Sequence, residues 1–191
     1  MFSISCKKEL PHYYVSDAFK SWTVFNKGSY WIFQNDSTLI FDSVFVTVNP
    51  SFLEFKPNSS NANFTLERIE MSYSSVFFHS SMITIDEGGQ YEAFFIQINN
   101  DLFHILLASS ADNFIQYHEN TIDGSIYQLL SSDSVFYLGP EKFYKVVSTQ
   151  YTINKKKWTC WFARDIGLIK VTGENTSPDF SWSLLRYHIA K

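Results

Sequence analysis

A chain of 191 residues suits one domain with a sizeable core, and a formal charge of −4 leaves no basic stripe of the kind nucleic acid needs. Hydrophobic residues make up 45%, but no run approaches the length of a membrane-spanning helix. Aromatic residues reach 18%, with 19 Phe and 11 Tyr, which favours half-buried sheet faces.

The chain opens MFSISCKKEL, where small and apolar residues lead into Cys6 and charge follows at once. A bacterial lipoprotein signal ends in this way, at a cysteine that is acylated and becomes the mature N-terminus. No basic region precedes it, and Met1–Ser5 is too short for the apolar part of a signal. Composition by itself therefore favours a frayed terminus with an incidental cysteine.

Tyr14–Phe25 is the one early stretch that suits a helix, with Ser16 as cap, Asp17 in the first turn, and Phe19 and Trp22 on one face. From Ser29 the period becomes two. SYWIFQND and TLIFDSVFVTV read as a hairpin turning near Asn35–Thr38, apolar enough on both faces to be covered on both. Asn49–Asn63, with two prolines, reads as a loop. Phe64–Ser74 alternates Ile69, Met71 and Tyr73 against Arg68, Glu70 and Ser72, a one-sided strand. Val76–Ile85, Tyr91–Ile98 and Leu102–Ala108 follow as strands, then the shorter Asn113–His118 and Ser125–Leu130. Gly139-Pro140 breaks the chain before the long strand Phe143–Ile153. The only basic cluster, Lys155–Lys157, reads as a solvated hairpin turn.

The last third carries three of the five tryptophans and reads as three strands broken at Arg164-Asp165 and at Gly173–Asp179, the centre of the sheet. Gly167 should open its strand where the backbone needs glycine's freedom. Between Phe180 and Ile189 the apolar positions change parity, which calls for a bulge near Leu184-Leu185. The sum is an all-β protein of about ten strands and one short N-terminal helix. Its turns are too short for crossover helices, so the sheet is antiparallel, curving to a partial barrel or a sandwich.

Catalytic motifs are missing: there is no GxSxG, no phosphate-binding loop, no HExxH and no EF-hand loop, and no catalytic residue, metal site or cofactor is expected. His79, His104 and His118 each fall in a strand at unrelated spacings and read as separate histidines rather than a metal set. Cys160 sits mid-strand among aromatics as a small buried hydrophobe. Trp31, Trp158, Trp161 and Trp182 either fill a large core or line an open cup for an apolar or sugar-like ligand. Trp158 and Trp161 point to opposite faces, so at most one of them lines any given pocket. Trp31, Trp161 and Trp182 are the candidate ligand-binding residues.

SCKKE at the front, GSYWIFQND and FDSVFVT in the first hairpin, and WFARDIGLIK and WSLLRY at the end together resemble the small secreted lipoproteins of Bacteroidota. That group pairs a GxYWxYxD…DSVYV hairpin with a WxAxxIGLIK…WxLxxY ending and carries no assigned activity. The resemblance covers both ends of the chain and leaves about residues 49–139 outside it. It implies export, acylation at Cys6, and a mostly antiparallel β domain. Residues 1–12 would then be signal remnant and tether and residues 13–191 a single β domain at the cell envelope, with the membrane as partner through the lipid anchor. On this view the chain is a non-enzymatic binding or assembly module with a protein partner, with a carrier of an apolar ligand in a barrel-like cavity as the alternative and an enzyme third.

Overall fold

The computed structural model describes residues 11–48, 51–56, 64–75, 78–86, 91–98, 101–110, 113–119, 124–176 and 180–191. The N-terminal part holds β1 (His12–Tyr13), helix α1 (Asp17–Thr23), β2 (Tyr30–Asn35), β3 (Phe41–Val48), β4 (Ser51–Lys56) and β5 (Phe64–Ser74). β6 (Phe78–Asp86), β7 (Tyr91–Ile98), β8 (Asp101–Ser110), β9 (Asn113–Phe114) and β10 (Tyr117–Glu119) follow. The chain ends in β11 (Ile126–Leu138), β12 (Glu141–Ile153), β13 (Lys156–Ala163), β14 (Gly167–Glu174) and β15 (Phe180–His188).

All strands belong to one sheet, ordered β10-β11-β12-β13-β14-β15-β2-β3-β5-β6-β7-β8-β9, with β1 and β4 joined to β5 off this path. Every pair is antiparallel except β1 with β5. The all-β, antiparallel architecture with one short helix is as expected, and β13–β15 do sit mid-path. The expected ten strands become fifteen segments chiefly because two long strands are interrupted. After a register shift between Val46 and Val48, β4 continues along β5 in the register on which β3 ends, Val48 opposite Ser72 and Ser51 opposite Ile69. Between them falls Pro50, which has no N–H to give a ladder. Residues 51–56 are thus strand, not the loop that the prolines suggested. β9 and β10 are likewise successive pieces of one segment, and they are the two ends of the path. Ile115 N donates to Leu107 O (3.0 Å) on one side, and Leu129 N donates to Gln116 O (2.9 Å) on the other. The ladder is not a continuous ring, yet this segment draws its ends together and the sheet wraps an interior.

Aromatic and β-branched side chains fill that interior. Phe25 packs edge-on against Trp31 (4.9 Å between centroids), Trp158 against Phe180 (4.7 Å) and Phe94 against Phe162 (6.0 Å). Cys160 is a free thiol buried among them, and desolvation pushes its pKa to about 12. On β3, Asp42, Val44 and Val46 face inward while Phe41 and Phe45 are exposed, so the expectation of a hairpin covered on both faces is corrected. On β15 a bulge falls between Leu184, opposite Phe33, and Arg186, opposite Ile32, which is where the parity change required it.

Helix α1 plugs the interior. Seven residues are too few to be stable alone, so packing and caps must hold it. Phe19 and Trp22 are buried, and Trp22 meets Phe114 edge-on at 5.4 Å. Ser16 caps the helix through Phe19 N (3.1 Å). Two buried carboxylates then fix the preceding turn: Val15 N donates to Glu67 (2.9 Å), while Ser16 donates through its amide and its hydroxyl to Glu92. Lys20 closes an ion pair with Glu67 at 2.9 Å. The other end is held where Asp165 N donates to Ser21 O (2.8 Å). In that same turn Gly167 has φ +91°, and a Cβ there would lie 2.8 and 2.9 Å from the Phe25 ring.

Two outcomes follow from these anchors. Gly167→Val forces a side chain into the Phe25 ring from a left-handed backbone and should cost about 3 kcal/mol, read by urea unfolding. Unchanged stability would refute that account of the turn. Burial holds the Glu92 carboxyl above its ordinary value of 4.5, against the hydrogen bonds from Ser16 and the charge of Lys20. The folded state therefore takes up this proton first, and the Glu92 contribution to stability falls as pH rises through and above the ordinary glutamate range. Glu92→Gln should flatten that slope, measured as the difference in urea midpoint between wild type and variant across pH.

A cleft beneath a folded-back hairpin

β11 and β12 are each 13 residues long, whereas β13 has 8 and pairs with β12 only from Val146 to Ile153. The surplus, Phe136–Leu138 and Glu141–Phe143, forms a ribbon whose ladder contacts are to each other alone among the described residues, joined to the sheet at Ser134 opposite Val146. Its foot carries register shifts on both sides of Ser134 and two left-handed residues, Asp133 (φ +52°) and Lys145 (φ +51°). There the ribbon turns and lies back over the outer face of the sheet.

Its alternation explains how it lies. Phe136 and Phe143 are opposite each other, as are Leu138 and Glu141, so these four share one face. That face meets the sheet: the Phe136 ring packs on Trp161 at 5.7 Å, and Phe143 is buried. Val135, Tyr137 and Tyr144 on the other face are exposed, and Lys142 Nζ lies 5.6 and 4.8 Å from the two tyrosine ring centres.

Beneath this flap runs a cross-strand row on the sheet's outer face: Ser148, Trp161, Lys170, Ser183, Gln34 and Phe41, each opposite the next. Between flap and row lies a cleft of about 560 Å³, walled by Leu138–Glu141, Leu184 and Leu185 and floored by Gln34, Asp36, Lys170 and Ser183. A second hollow of about 180 Å³ continues it past Glu141 towards Phe143 and Tyr187. Asp36 accepts from Ser181 Oγ (2.5 Å) and pairs with Lys170 Nζ (3.3 Å). Desolvation pushes the Asp36 pKa up, but the hydrogen bonds from Ser181 and Ser183 and the Lys170 charge outweigh it and hold the group below 3.8. It is a carboxylate at neutral pH, tied to its neighbours rather than poised to give up a proton. The arrangement can hold a ligand that is apolar on one side and hydrogen-bonding on the other.

The structure divides the three candidate tryptophans. Trp31 and Trp182 are buried in the interior with Trp158, and Trp31 donates to Ile166 O at 2.6 Å. Trp161 points the other way and stands at the flap's end of the outer row. The pocket that Trp31 lines, with Trp22, Phe25 and Phe162, measures about 30 Å³. His118 is half-buried on β10, and the side chains of His79 and His104 lie outside the described residues, as does Cys6. Among the described residues no group of three or more His, Cys, Asp or Glu could hold a metal ion. Sequence reasoning missed Gln34, Asp36, Lys170, Ser183 and the flap that covers them. The available signal was the ribbon's own alternation, Phe136 and Leu138 against Val135 and Tyr137, running past the expected end at Leu130.

No family model, curated protein or solved structure matches the chain.

If Trp161 is what seats the flap, Trp161→Ala should speed amide exchange in residues 134–145 at a stability cost of only about 1–2 kcal/mol. Exchange in the flap that stays at the wild-type rate would show that Phe143 and Leu138 suffice to hold it down.

Proposed function

We propose that the chain is a non-enzymatic binding module held at the cell envelope by acyl chains on Cys6, and that it grips its partner in the cleft beneath the β11–β12 flap. The observation that carries the binding reading is where the space lies. The pocket against Trp31 measures about 30 Å³ and the cleft about 560 Å³, so of these two described spaces it is the cleft that has room for a ligand. The cleft's apolar wall and paired, ionised floor suit recognition of an extended protein segment more than acid–base chemistry. The envelope part rests on the SCKKE opening and on the resemblance that the two ends of the chain carry. Acyl chains alone would tether such a domain, and Lys7–Pro11 would hold it close to the bilayer surface.

The two parts separate experimentally. Full-length protein made with a lipoprotein leader should fractionate with membranes and carry acyl mass at Cys6, and Cys6→Ser should release it. A bare peptide mass would end the envelope reading. For the cleft, a photo-crosslinking residue at Leu185, on the wall, is compared with one at Tyr117, on β10. A discrete adduct in cells from position 185 that is absent from 117, and lost in Lys170→Glu, supports the cleft. The same products from both positions would remove it.

A further inference from the structure

The flap is a two-stranded ribbon with an open edge on its β12 side. Its turn, Gly139-Pro140, closes on the pair Leu138 and Glu141, so Glu141 and then Phe143 direct their backbone groups to β11. The alternate residues, Lys142 and Tyr144, direct theirs the other way. In the body of the sheet that side of β12 is taken by β13, but β13 ends at Ala163, opposite Val146. Beyond it the one backbone bond to this side of β12, among the described residues, is that from Arg164 N to Lys145 O (3.4 Å). Lys142 and Tyr144 therefore present their N–H and C=O groups in a row, and both residues are exposed.

Beside this edge lies the hollow of about 180 Å³ that continues the cleft. From the ribbon only Glu141 and Phe143 line it, with Leu184–Tyr187 opposite, so it lies on the β12 side and not beneath β11. Phe143 and Leu184 are buried, and Glu141 and Arg186 bring one charge of each sign. The unbalanced charge is on the ribbon's outward face, where the Lys142 ammonium lies over the Tyr137 and Tyr144 rings and, among the described residues, has no carboxylate partner.

We infer that the partner binds by strand addition, an inference that rests on the cleft reading above. An extended segment pairs with the β12 edge through the main chain of Lys142 and Tyr144. Its residue opposite Phe143 drops an apolar side chain into the hollow, and the residues on either side of it face outward, where Lys142 favours a carboxylate. The edge itself selects this class of occupant, since another extended backbone supplies donors and acceptors at strand spacing. Side-chain parity then requires apolar and acidic residues to alternate.

The test uses the full chain, labelled with nitrogen-15, and the acetylated, amidated peptide Thr-Val-Glu-Leu-Glu-Val-Thr. Saturable shifts of the Lys142 and Tyr144 amides are expected, with exchange there slowed roughly tenfold or more. Glu141 and Phe143, already bonded to β11, should change much less. A peptide N-methylated at both glutamates, whose amides would meet the edge, should bind roughly tenfold or more weakly, whereas N-methylation at the leucine should cost much less. Lys142→Glu should weaken the parent peptide by roughly fivefold or more, and its spectrum, unchanged away from the flap, shows that it is folded. Saturable shifts at Ser183 and Leu185 with no new protection at Lys142 and Tyr144 would overturn strand addition and leave the cleft reading standing. Equal binding by the parent and the peptide methylated at its glutamates would overturn it too, as would the absence of any saturable response in the flap. Failure of the cleft reading shows separately, in the crosslinking from position 185.

Discussion

A sheet wrapped around an interior has to fill that interior, and here the filling depends on holding seven helical residues in place against two buried carboxylates. Glu67 and Glu92 come from β5 and β7, and each accepts from the turn just before α1. Burying carboxylates is costly unless their lone pairs are used, and the amides of Val15 and Ser16, the Ser16 hydroxyl and the Lys20 ammonium use them. The helix, in return, gains the anchors that its length denies it. Phe19 and Trp22 then reach the places where the Phe114 and Phe25–Trp31 aromatics need a partner surface. If those anchors failed, the sheet would surround a void rather than a core.

That solution leaves the larger of the two spaces described above, the cleft, on the outer face of the sheet. Interiors packed at the usual density of folded proteins leave only small residual voids, and the pocket against Trp31, at about 30 Å³, is of that kind. The space that remains is made by surplus strand. β12 outruns β13 by the residues Glu141–Lys145, and a two-stranded ribbon with one apolar face is only marginally stable in water. Laying Phe136 and Phe143 on Trp161 and the β15 wall satisfies that face. The flap and the cleft are therefore one event: the ribbon folds back because it must bury its apolar side, and the fold-back leaves a space where its tip stands off the polar row of Lys170, Ser183 and Gln34.

Much of this was legible in the residues because local chemistry decided it. Ser16 as cap, the Arg164–Gly167 turn and the bulge before Arg186 each follow from a short-range requirement that the sequence displays directly. The failures have a common cause. Prolines in 49–63 suggest a loop, but a strand can resume in register after one, as Ser51 does opposite Ile69. The strand expected over Ser125–Leu130 does not end there: the polar residues that follow mark a bulge, after which β11 continues to Leu138. Breakers report an interruption of the ladder and do not say whether the strand goes on beyond it. The tryptophans illustrate a different limit. Period two assigned Trp158 and Trp161 to opposite faces, yet which face is interior depends on how the whole sheet curls. That is set by pairings between residues more than a hundred positions apart, such as Trp31 with Tyr187.

The hinge at the flap's foot shows how such a device can be rigid in one place and yielding in another. Asp133 and Lys145 take left-handed backbones on the two strands of one hairpin, so both strands turn near the same level. Each costs of order 1 kcal/mol relative to an ordinary strand backbone, a sum that the burial of Phe136 and Phe143 offsets in the folded-back state. Motion of the ribbon therefore trades two comparable terms, backbone strain at the foot against apolar contact at the tip.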